Sequence, residues 1–291
     1  MDEFRKRLLH LHLSTSSWKT IFTILKADPT LERLYKIPLA NSPNFSFTDP
    51  SVQAAITYLR STSIETNIQQ YNNGKIYVLT IFDEIYPQAL KETYQPPWIL
   101  FAKGDISLLR EKHLLAVVGS RAASSYAKRT VEFLMPELIE SGLVIVSGLA
   151  KGIDALAHKT AIENGGKTIG VIAGGFWNLY PAETKRLAMY MMEKQLVVSE
   201  YAPESKPARW QFPMRNRIIS GLSKGTLVVE AKKKSGSLIT ADFSMSEGRE
   251  VFAIPGDILT SESEGVHELI QQGAKLVKSA KNILEELNLS Y

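Results

Sequence analysis

The sequence predicts an α/β fold: an extended Rossmann-like, mostly parallel sheet with helices on both faces, preceded by a small all-helical N-terminal domain. Beyond His113, runs of four or five apolar residues, such as residues 114–118, alternate regularly with helical patterns. Short strands that are apolar throughout are typical of a parallel sheet covered on both faces. In residues 1–65, by contrast, the apolar residues recur at helical spacing.

The N-terminal region is predicted to be a separate helical domain. Phe4, Leu8 and Leu11 lie on one helical face, and Asp28-Pro29 marks a turn after the second helix. Further turn signals lie at Pro38, residues 41–43 and Asp49-Pro50. We therefore predict a helical domain over residues 1–65, a linker over 66–75 and the Rossmann-like domain over 76–291.

The elements of the second domain follow from the switch between apolar runs and helical periodicity. The predicted strands are residues 77–82, 98–102, 114–118, 143–146, 168–172, 196–199, 226–230, 251–254 and 275–277. The predicted helices are residues 125–140, 153–164, 181–193, 213–222, 238–247 and 280–287.

The composition restricts the chemistry. The chain has 291 residues and a formal charge of +4, which allows a polyanionic partner without requiring one. It contains no cysteine, and its five histidines lack metal-ligand spacing, so we predict no metal, no cofactor and no disulfide. No apolar run approaches the roughly 20 residues that span a bilayer, and the first 13 residues lack a signal peptide's apolar core. We expect a cytoplasmic protein that does not contact the membrane.

The first candidate binding loop follows the strand at residues 114–118. In such sheets ligands bind at the carboxyl ends of strands, where loops lead into helix N-termini. Gly119 allows close backbone approach, Ser120 supplies a hydroxyl, and Arg121 is a forked phosphate donor. The loop lacks the GxGxxG pattern of dinucleotide-binding proteins. The alternative for Arg121 is an ion pair with a carboxylate across the sheet.

The second candidate loop, residues 147–154, again joins a strand end to a helix through small residues. Its glycines permit a tight turn, and Lys151 is a candidate phosphate ligand. Asp154 is either a catalytic acid or, more in keeping with a helix start, an acceptor for backbone amides.

The most informative segment is residues 206–234, where Glu230 is the only acidic residue among many basic ones. Cations interleaved with Trp210 and Phe212 suit a single nucleic-acid strand, because phosphates bind cations and unstacked bases bind aromatic faces. The alternative is that the two aromatic residues anchor a loop to the core. Arg215, Asn216 and Arg217 begin a predicted helix. The amides of Ser235, Gly236 and Ser237 precede another helix and offer an anion cradle.

Taken together, these segments resemble the DNA processing protein A (DprA/Smf) family. The resemblance covers residues 76–278. Its motifs are, in order, GSR (119–121), GLAKGID (148–154), KTIGV (167–171), YP (180–181), FPMRNRII (212–219), SGSLITA (235–241) and GREVFAIPG (248–256).

The resemblance implies a protein that binds and protects single-stranded DNA without catalysis and loads the recombinase RecA onto it during natural transformation and recombination. Single-strand-binding protein is a further expected partner. The N-terminal helices correspond to the family's sterile-alpha-motif-like (SAM-like) domain, to which we assign no DNA contact. The winged helix that some members carry is not expected within these residues.

The resemblance also implies a homodimer formed through the C-terminal part of the chain. The candidate interface residues are His267, Leu269, Ile270 and Leu276. The alternative, that all four are plain core residues, stays open.

For DNA binding we predict that Arg121, Lys151, Arg215 and Arg217 contact phosphates and that Phe212 stacks on a base. The amides around Gly119 and at residues 235–237 would hold other phosphates, with Ser120 and Asn216 beside them. The rival hypothesis is a nucleotide-acting enzyme of the lysine-decarboxylase-like phosphoribohydrolase type. Such enzymes resemble one another in a PGGxGTxxE segment, which this sequence lacks. Glu230 is crowded by lysines, which favours a paired, neutralising role over general base catalysis.

Overall fold

The structure is a computed structural model, and it describes residues 1–15, 17–36 and 49–289. The strands in this part of the chain are β1 (Tyr77–Thr80), β2 (Ile99–Gly104), β3 (Leu114–Val118), β4 (Val144–Ser147), β5 (Thr168–Val171), β6 (Leu196–Ser199), β7 (Gly225–Val228), β8 (Glu250–Ala253) and β9 (Lys275–Leu276). They form one sheet in the order β1-β2-β6-β5-β4-β3-β7-β8-β9. Strands β3 to β9 run parallel, while β1 and β2 are antiparallel at one edge. The predicted Rossmann-like, mostly parallel sheet is confirmed.

The helices of the described residues are α1 (Glu3–Ser14), α2 (Trp18–Ala27), α3 (Arg33–Lys36), α4 (Pro50–Ser61), α5 (Glu65–Asn73), α6 (Gln88–Lys91), α7 (Ser125–Glu140), α8 (Ile153–Glu163), α9 (Lys185–Lys194), α10 (Gln211–Leu222), α11 (Gly236–Ser246), α12 (Glu264–Gln271) and α13 (Ala280–Glu286). The predicted helical N-terminal region is confirmed. No helix in these described ranges is long and apolar enough to cross a membrane. The turn signals at Pro38 and residues 41–43 lie outside the described residues.

Side-chain caps explain where the N-terminal helices begin. The side chains of Asp2, Ser17 and Asp49 accept hydrogen bonds from backbone amides in the first turns of α1, α2 and α4. These amides have no partner within their helices, so each cap stabilises a helix start. Pro50 opens α4, where a residue without an N–H costs nothing.

The sheet is covered on both faces, as its apolar strands require. In β3, Ala116 and Val118 pack into the core that α10, α11 and α12 cover, while Leu115 and Val117 pack into the core under α7, α8 and α13. Because successive strand residues point to opposite faces, this alternation places the two cores on opposite sides of the sheet. Both faces are therefore occupied, and the strand ends are left for ligands.

The linker expected over residues 66–75 is wrong: most of it is helix α5. Tyr71 is buried, its ring lies 5.7 Å from that of Phe101 in β2, and its hydroxyl donates to Glu204. Ile68, one turn earlier, packs against the same core. Ile68 and Tyr71 form a short apolar stripe that is hard to recognise in the sequence, because most of their neighbours are Asn and Gln. The N-terminal helices consequently share a core with the antiparallel edge of the sheet.

Candidate nucleic-acid interface

The order of the strands places a crevice at the carboxyl ends of β3 and β7. From β3 the chain moves through β4 and β5 to β6 in one direction and then returns with β7 on the other side of β3. The loops after β3 and β7 therefore lead away to opposite sides, which opens a gap between them. Open α/β sheets bind ligands at such a switch point.

A cleft of about 530 Å³ occupies this switch point. It brings together three segments that are far apart in the sequence: the loop after β3, the start of α10 and the start of α11. The sequence-predicted residues that line it are Gly119, Ser120, Arg121, Phe212, Arg215, Asn216, Ser235, Gly236 and Ser237. Their role in binding DNA stays a prediction, but their convergence on one cleft is a property of the fold.

Two glycines allow the loops after β3 and β4 to pack against each other. A Cβ atom on Gly152, whose φ is +77°, would lie 2.1 Å from the carbonyl oxygen of Ser120. A Cβ on Gly119 would lie 2.7 Å from the side chain of Ile153. The amide of Ile153 donates to the Ser120 carbonyl at 3.1 Å. This packing sets the position of the backbone that carries Arg121.

Arg121 and Phe212 stand side by side at the cleft. The Cζ atom of the exposed Arg121 lies 5.9 Å from the centre of the Phe212 ring. The exposed Tyr180 also contacts Phe212, and its ring lies 5.8 Å from the Phe212 ring in an edge-to-face arrangement. A cation next to an aromatic face matches the phosphate and the base of a single-stranded nucleotide. In the sequence Tyr180 stands only within the YP motif and is not among the predicted binding residues.

Lys151 lies beside the cleft and does not line it. Its ammonium group forms an ion pair with Glu183, and both side chains are about half exposed. Exposed ion pairs contribute little free energy, so the lysine can exchange this partner for a phosphate at small cost.

Arg215 is a correction to the predicted phosphate contacts. The residue is only 4% exposed, and its Nη1 donates to the carbonyl oxygens of Gly148 and Val171. Burial lowers the pKa of its guanidinium to about 10, while the charge of Asp154 opposes that shift. Gly148 is required here because a Cβ at that position would lie 2.2 Å from Nη1 of Arg215. Arg215 therefore holds the loops after β4 and β5 from the floor of the cleft.

Arg217 is a second correction, because it lies outside the cleft. Its side chain is 3% exposed, and Nη2 donates to both carboxylate oxygens of Glu200 at 2.5 and 2.6 Å. Residues two apart on a helix point to nearly opposite sides, so Arg215 and Arg217 cannot both face the cleft. In the sequence the two arginines form one basic cluster, and no local signal distinguishes them.

The two carboxylates near the strand ends bind backbone groups. Buried Asp154 accepts hydrogen bonds from the backbone of Gly148 and Ala150; burial raises the pKa of its carboxyl, and Arg215 opposes that shift. Glu230, also buried, accepts from the amide of Ser124 at 3.1 Å, just before α7. Glu230 was expected to pair with lysines, but its direct contact is this backbone amide. Lys232 and Lys233 instead bind Glu262 and Glu268.

Helix α11 presents its N-terminus to the cleft. It begins at Gly236, two residues before the predicted start, and residues 236–239 of its first turn are uncharged. The side-chain amide of Asn216 donates to the Gly236 carbonyl at 3.0 Å, which ties α10 to this turn. Free amides and the positive end of the helix dipole favour an anion at this place.

The candidate dimer residues separate into core and surface. Leu269 is 3% exposed, and Ile270 packs against the same core. Leu269 is therefore a core residue of its own subunit, and its predicted place in the dimer interface is wrong. The half-buried His267 bonds to the Gly256 carbonyl through Nε2 at 3.0 Å. Leu276, 43% exposed on the edge strand β9, offers an apolar surface, and its place in an interface stays a prediction.

The comparisons with known proteins agree with the geometry. The family model for DNA recombination-mediator protein A matches residues 77–288. This chain belongs to that family. Membership assigns it a role in DNA processing and recombination.

Within the described residues, no group of three or more His, Asp or Glu side chains is placed to hold a metal ion.

Relatives of the family match most of the chain. DNA processing protein DprA of Bacillus subtilis is 45% identical over 257 residues, which is 84% of this chain and 86% of that protein. DprA of Streptococcus pneumoniae is 53% identical over 71% of this chain and 73% of its own length. The crystal structure of DprA from Streptococcus pneumoniae matches with a TM-score of 0.86 and 41% identity, covering 98% of this chain and 99% of that one. DNA processing protein A from Helicobacter pylori, described for its single-stranded DNA binding mode, matches with a TM-score of 0.67 and 28% identity, covering 75% of this chain and 97% of that one.

Proposed function

We propose that the cleft at the switch point binds single-stranded DNA in a sequence-tolerant manner. The observation that carries this proposal is the pairing of Arg121 with the Phe212 ring, 5.9 Å apart at the mouth of the cleft. One nucleotide needs a cation for its phosphate and a flat face for its base, and the two side chains supply both. Duplex DNA keeps its bases stacked, so Phe212 would have no base to contact.

The groups around this pair extend the anion-binding surface. The N-terminus of α11 lies across the cleft, and Lys151, Lys232 and Lys233 are exposed around it. All three lysines have exposed or half-buried glutamate partners, which a phosphate backbone can replace. A surface of this kind releases counterions when the strand binds, so affinity falls as salt rises.

Binding without catalysis fits the carboxylates described above. Asp154 and Glu230 are buried and occupied by backbone amides, which does not suit a general base that must reach a substrate. We therefore propose a protein that protects the strand and hands it to RecA. We further propose that it acts in the cytoplasm during natural transformation, as a homodimer, with single-strand-binding protein as another partner.

The test is fluorescence anisotropy with matched single-stranded and duplex oligonucleotides across a salt series. We expect a salt-sensitive preference for the single strand that nucleoside monophosphates do not abolish, and we expect Arg121→Ala to weaken it about tenfold. Lys281→Ala, an exposed lysine of α13, is the matched control and should bind like the native chain. Weak binding that monophosphates abolish would instead support the phosphoribohydrolase hypothesis. Loading of RecA is then measured by filament assembly on the protected strand.

A further inference from the structure

Tyr180 contacts Phe212 at the edge of the cleft, outside the set of predicted binding residues. It is 58% exposed, whereas Phe212 is half-buried, so Tyr180 has the more accessible ring of the two. A single exposed aromatic residue is ordinary on a protein surface and carries no conclusion by itself. Its backbone, the orientation of its ring and the nearby charges therefore decide what it can bind.

The backbone on both sides of Tyr180 is anchored. Before it, the side-chain amide of Asn178 donates to the Glu204 carbonyl, in the loop after β6, at 2.7 Å. After it, the hydroxyl of Thr184 donates to the Leu149 carbonyl, in the loop after β4, also at 2.7 Å. An aromatic side chain on a fixed backbone loses little conformational entropy when a ligand binds to it. The ring of Tyr180 is therefore well placed to contact a ligand that reaches this edge.

The rings of Tyr180 and Phe212 are close together but far from parallel. Their centres lie 5.8 Å apart, and their planes meet at 71°. Neighbouring nucleotides of a strand are spaced by at least about 3.4 Å, so successive bases of one strand can reach the two rings. Two bases that stacked on these rings would lie at a steep angle to each other. They could not remain stacked on one another.

The charges near the two rings suit two successive nucleotides. The exposed guanidinium of Arg121 lies 5.9 Å from the centre of the Phe212 ring. Glu183, three residues after Tyr180, forms an ion pair with Lys151, and both side chains are about half exposed. Such a pair is weak, so a phosphate can take the place of Glu183. Each ring therefore belongs to a segment that contacts a cation, and two nucleotides need two flat faces and two cations.

We infer that Tyr180 is a second base-stacking residue and that, together with Phe212, it separates two neighbouring bases of one strand. One base stacks on Phe212 and the next on Tyr180, with phosphates at Arg121 and Lys151. The inference rests on the proposed function, because Phe212 is the first of the two stacking positions. It adds a geometric reason for the preference for single strands, since bases that meet at about 71° cannot belong to the parallel stack of a duplex.

The first test compares three variants of Tyr180 in anisotropy titrations with a short oligothymidylate. Tyr180→Ala should weaken binding about 5- to 100-fold, because one stacking contact is lost. Tyr180→Leu keeps an apolar contact with Phe212 but has no flat face, so it should weaken binding to a similar extent. Tyr180→Phe keeps the ring and should restore most of the affinity. Tyr190→Ala removes an exposed tyrosine of α9 that does not line the cleft, and it is the control that should bind like the native chain.

The second test measures the separation of the bases directly. A pair of adjacent 2-aminopurines in an oligothymidylate gives an exciton-coupled circular dichroism signal only while the two bases are stacked on each other. The native chain at saturation should remove most of this signal. Tyr180→Leu, also at saturation, should leave most of it, because the second base has no ring to stack on. A change in folding alone does not produce this difference at equal saturation.

The outcomes separate this inference from the proposed function. If the native chain shows no preference for a single strand, both are overturned. If Phe212→Ala weakens binding while Tyr180→Ala binds like the native chain, the proposed function stands and the inference is overturned. The inference is also overturned if Tyr180→Leu binds like the native chain, since the tyrosine would then only pack against Phe212. A 2-aminopurine signal that persists in the native complex would contradict the separation of the bases.

Discussion

Arg215 and Arg217 lie two residues apart in α10, yet their guanidinium groups bind on opposite sides of the helix. Arg215 reaches the carbonyl oxygens of Gly148 and Val171 below the cleft at the switch point, and Arg217 reaches the carboxylate of Glu200 on the other side of the helix. Helix α10 thus buries one arginine on each of two opposite faces.

Replacing Arg215 should destabilise the fold and not merely weaken DNA binding. Arg215→Ala removes the buried donor to the carbonyl oxygens of Gly148 and Val171 and the positive charge that opposes the raised pKa of Asp154, which should cost about 3 kcal/mol. Chemical denaturation of the protein without DNA measures this loss. Arg209→Ala, at an exposed position just before α10, is the control and should change the unfolding free energy by less than about 0.5 kcal/mol. An unchanged denaturation midpoint for Arg215→Ala would return this residue to the phosphate-binding group.

The glycine at position 152 should be irreplaceable for steric reasons. Gly152→Ala would place a Cβ 2.1 Å from the Ser120 oxygen at a φ of +77°, so the loop that carries Arg121 must move. Gly142→Ala is matched, since φ is +80° there but no atom lies within 4 Å of the new Cβ. We expect a loss of about 1 kcal/mol for Gly142→Ala and clearly more for Gly152→Ala, together with weaker DNA binding in the latter alone. Equal losses in thermal unfolding for both would contradict the steric argument.

Phe212 and Arg121 should affect DNA binding in different ways. Phe212→Ala removes a stacking face, so affinity should fall about 5- to 100-fold with the salt dependence unchanged. Arg121→Ala removes a phosphate contact, so the slope of log affinity against log salt should decrease by about 0.7. Anisotropy titrations at several salt concentrations separate the two effects. Phe133→Ala, at an exposed phenylalanine of α7, serves as the aromatic control. If both variants changed the slope equally, the separate roles of ring and cation would be wrong.

The stability should fall in mild acid because of a buried histidine. Burial lowers the pKa of His158 to about 3, against an ordinary value of 6.5. Below pH 6.5 His158 binds a proton in the unfolded chain but stays neutral in the folded chain. The free energy of unfolding therefore decreases as the pH falls from about 6.5 towards 3. This group alone should cost about 2 kcal/mol on going from pH 7 to pH 5. Denaturation at both pH values measures the loss, and His158→Gln should reduce the difference. A native pH dependence in that variant would exclude His158 as its source.

Much of the sheet and the cleft could be predicted from the sequence because the signals are local. Apolar runs such as Leu114–Val118 predict strands buried on both faces, and parallel strands bring the loops at their carboxyl ends to one edge. The convergence of Ser120, Phe212 and Ser235 on one cleft follows from that rule. The prediction of a linker over residues 66–75 was wrong for a local reason as well. Ile68 and Tyr71 form an apolar stripe that is too short to be recognised among polar neighbours.

The sequence by itself determined the fold class, the family and the loops that form the cleft, because periodicity and motif order survive without coordinates. Only the tertiary structure decided which way each side chain points. It buried Arg215 and Arg217 on opposite faces of α10, made Leu269 a core residue, and joined His12 to Glu200 across the chain. Such pairings depend on the rotation of a helix about its axis and on contacts between residues far apart in sequence. Both are decided when the helices and the sheet pack together, and neither leaves a local pattern in the sequence.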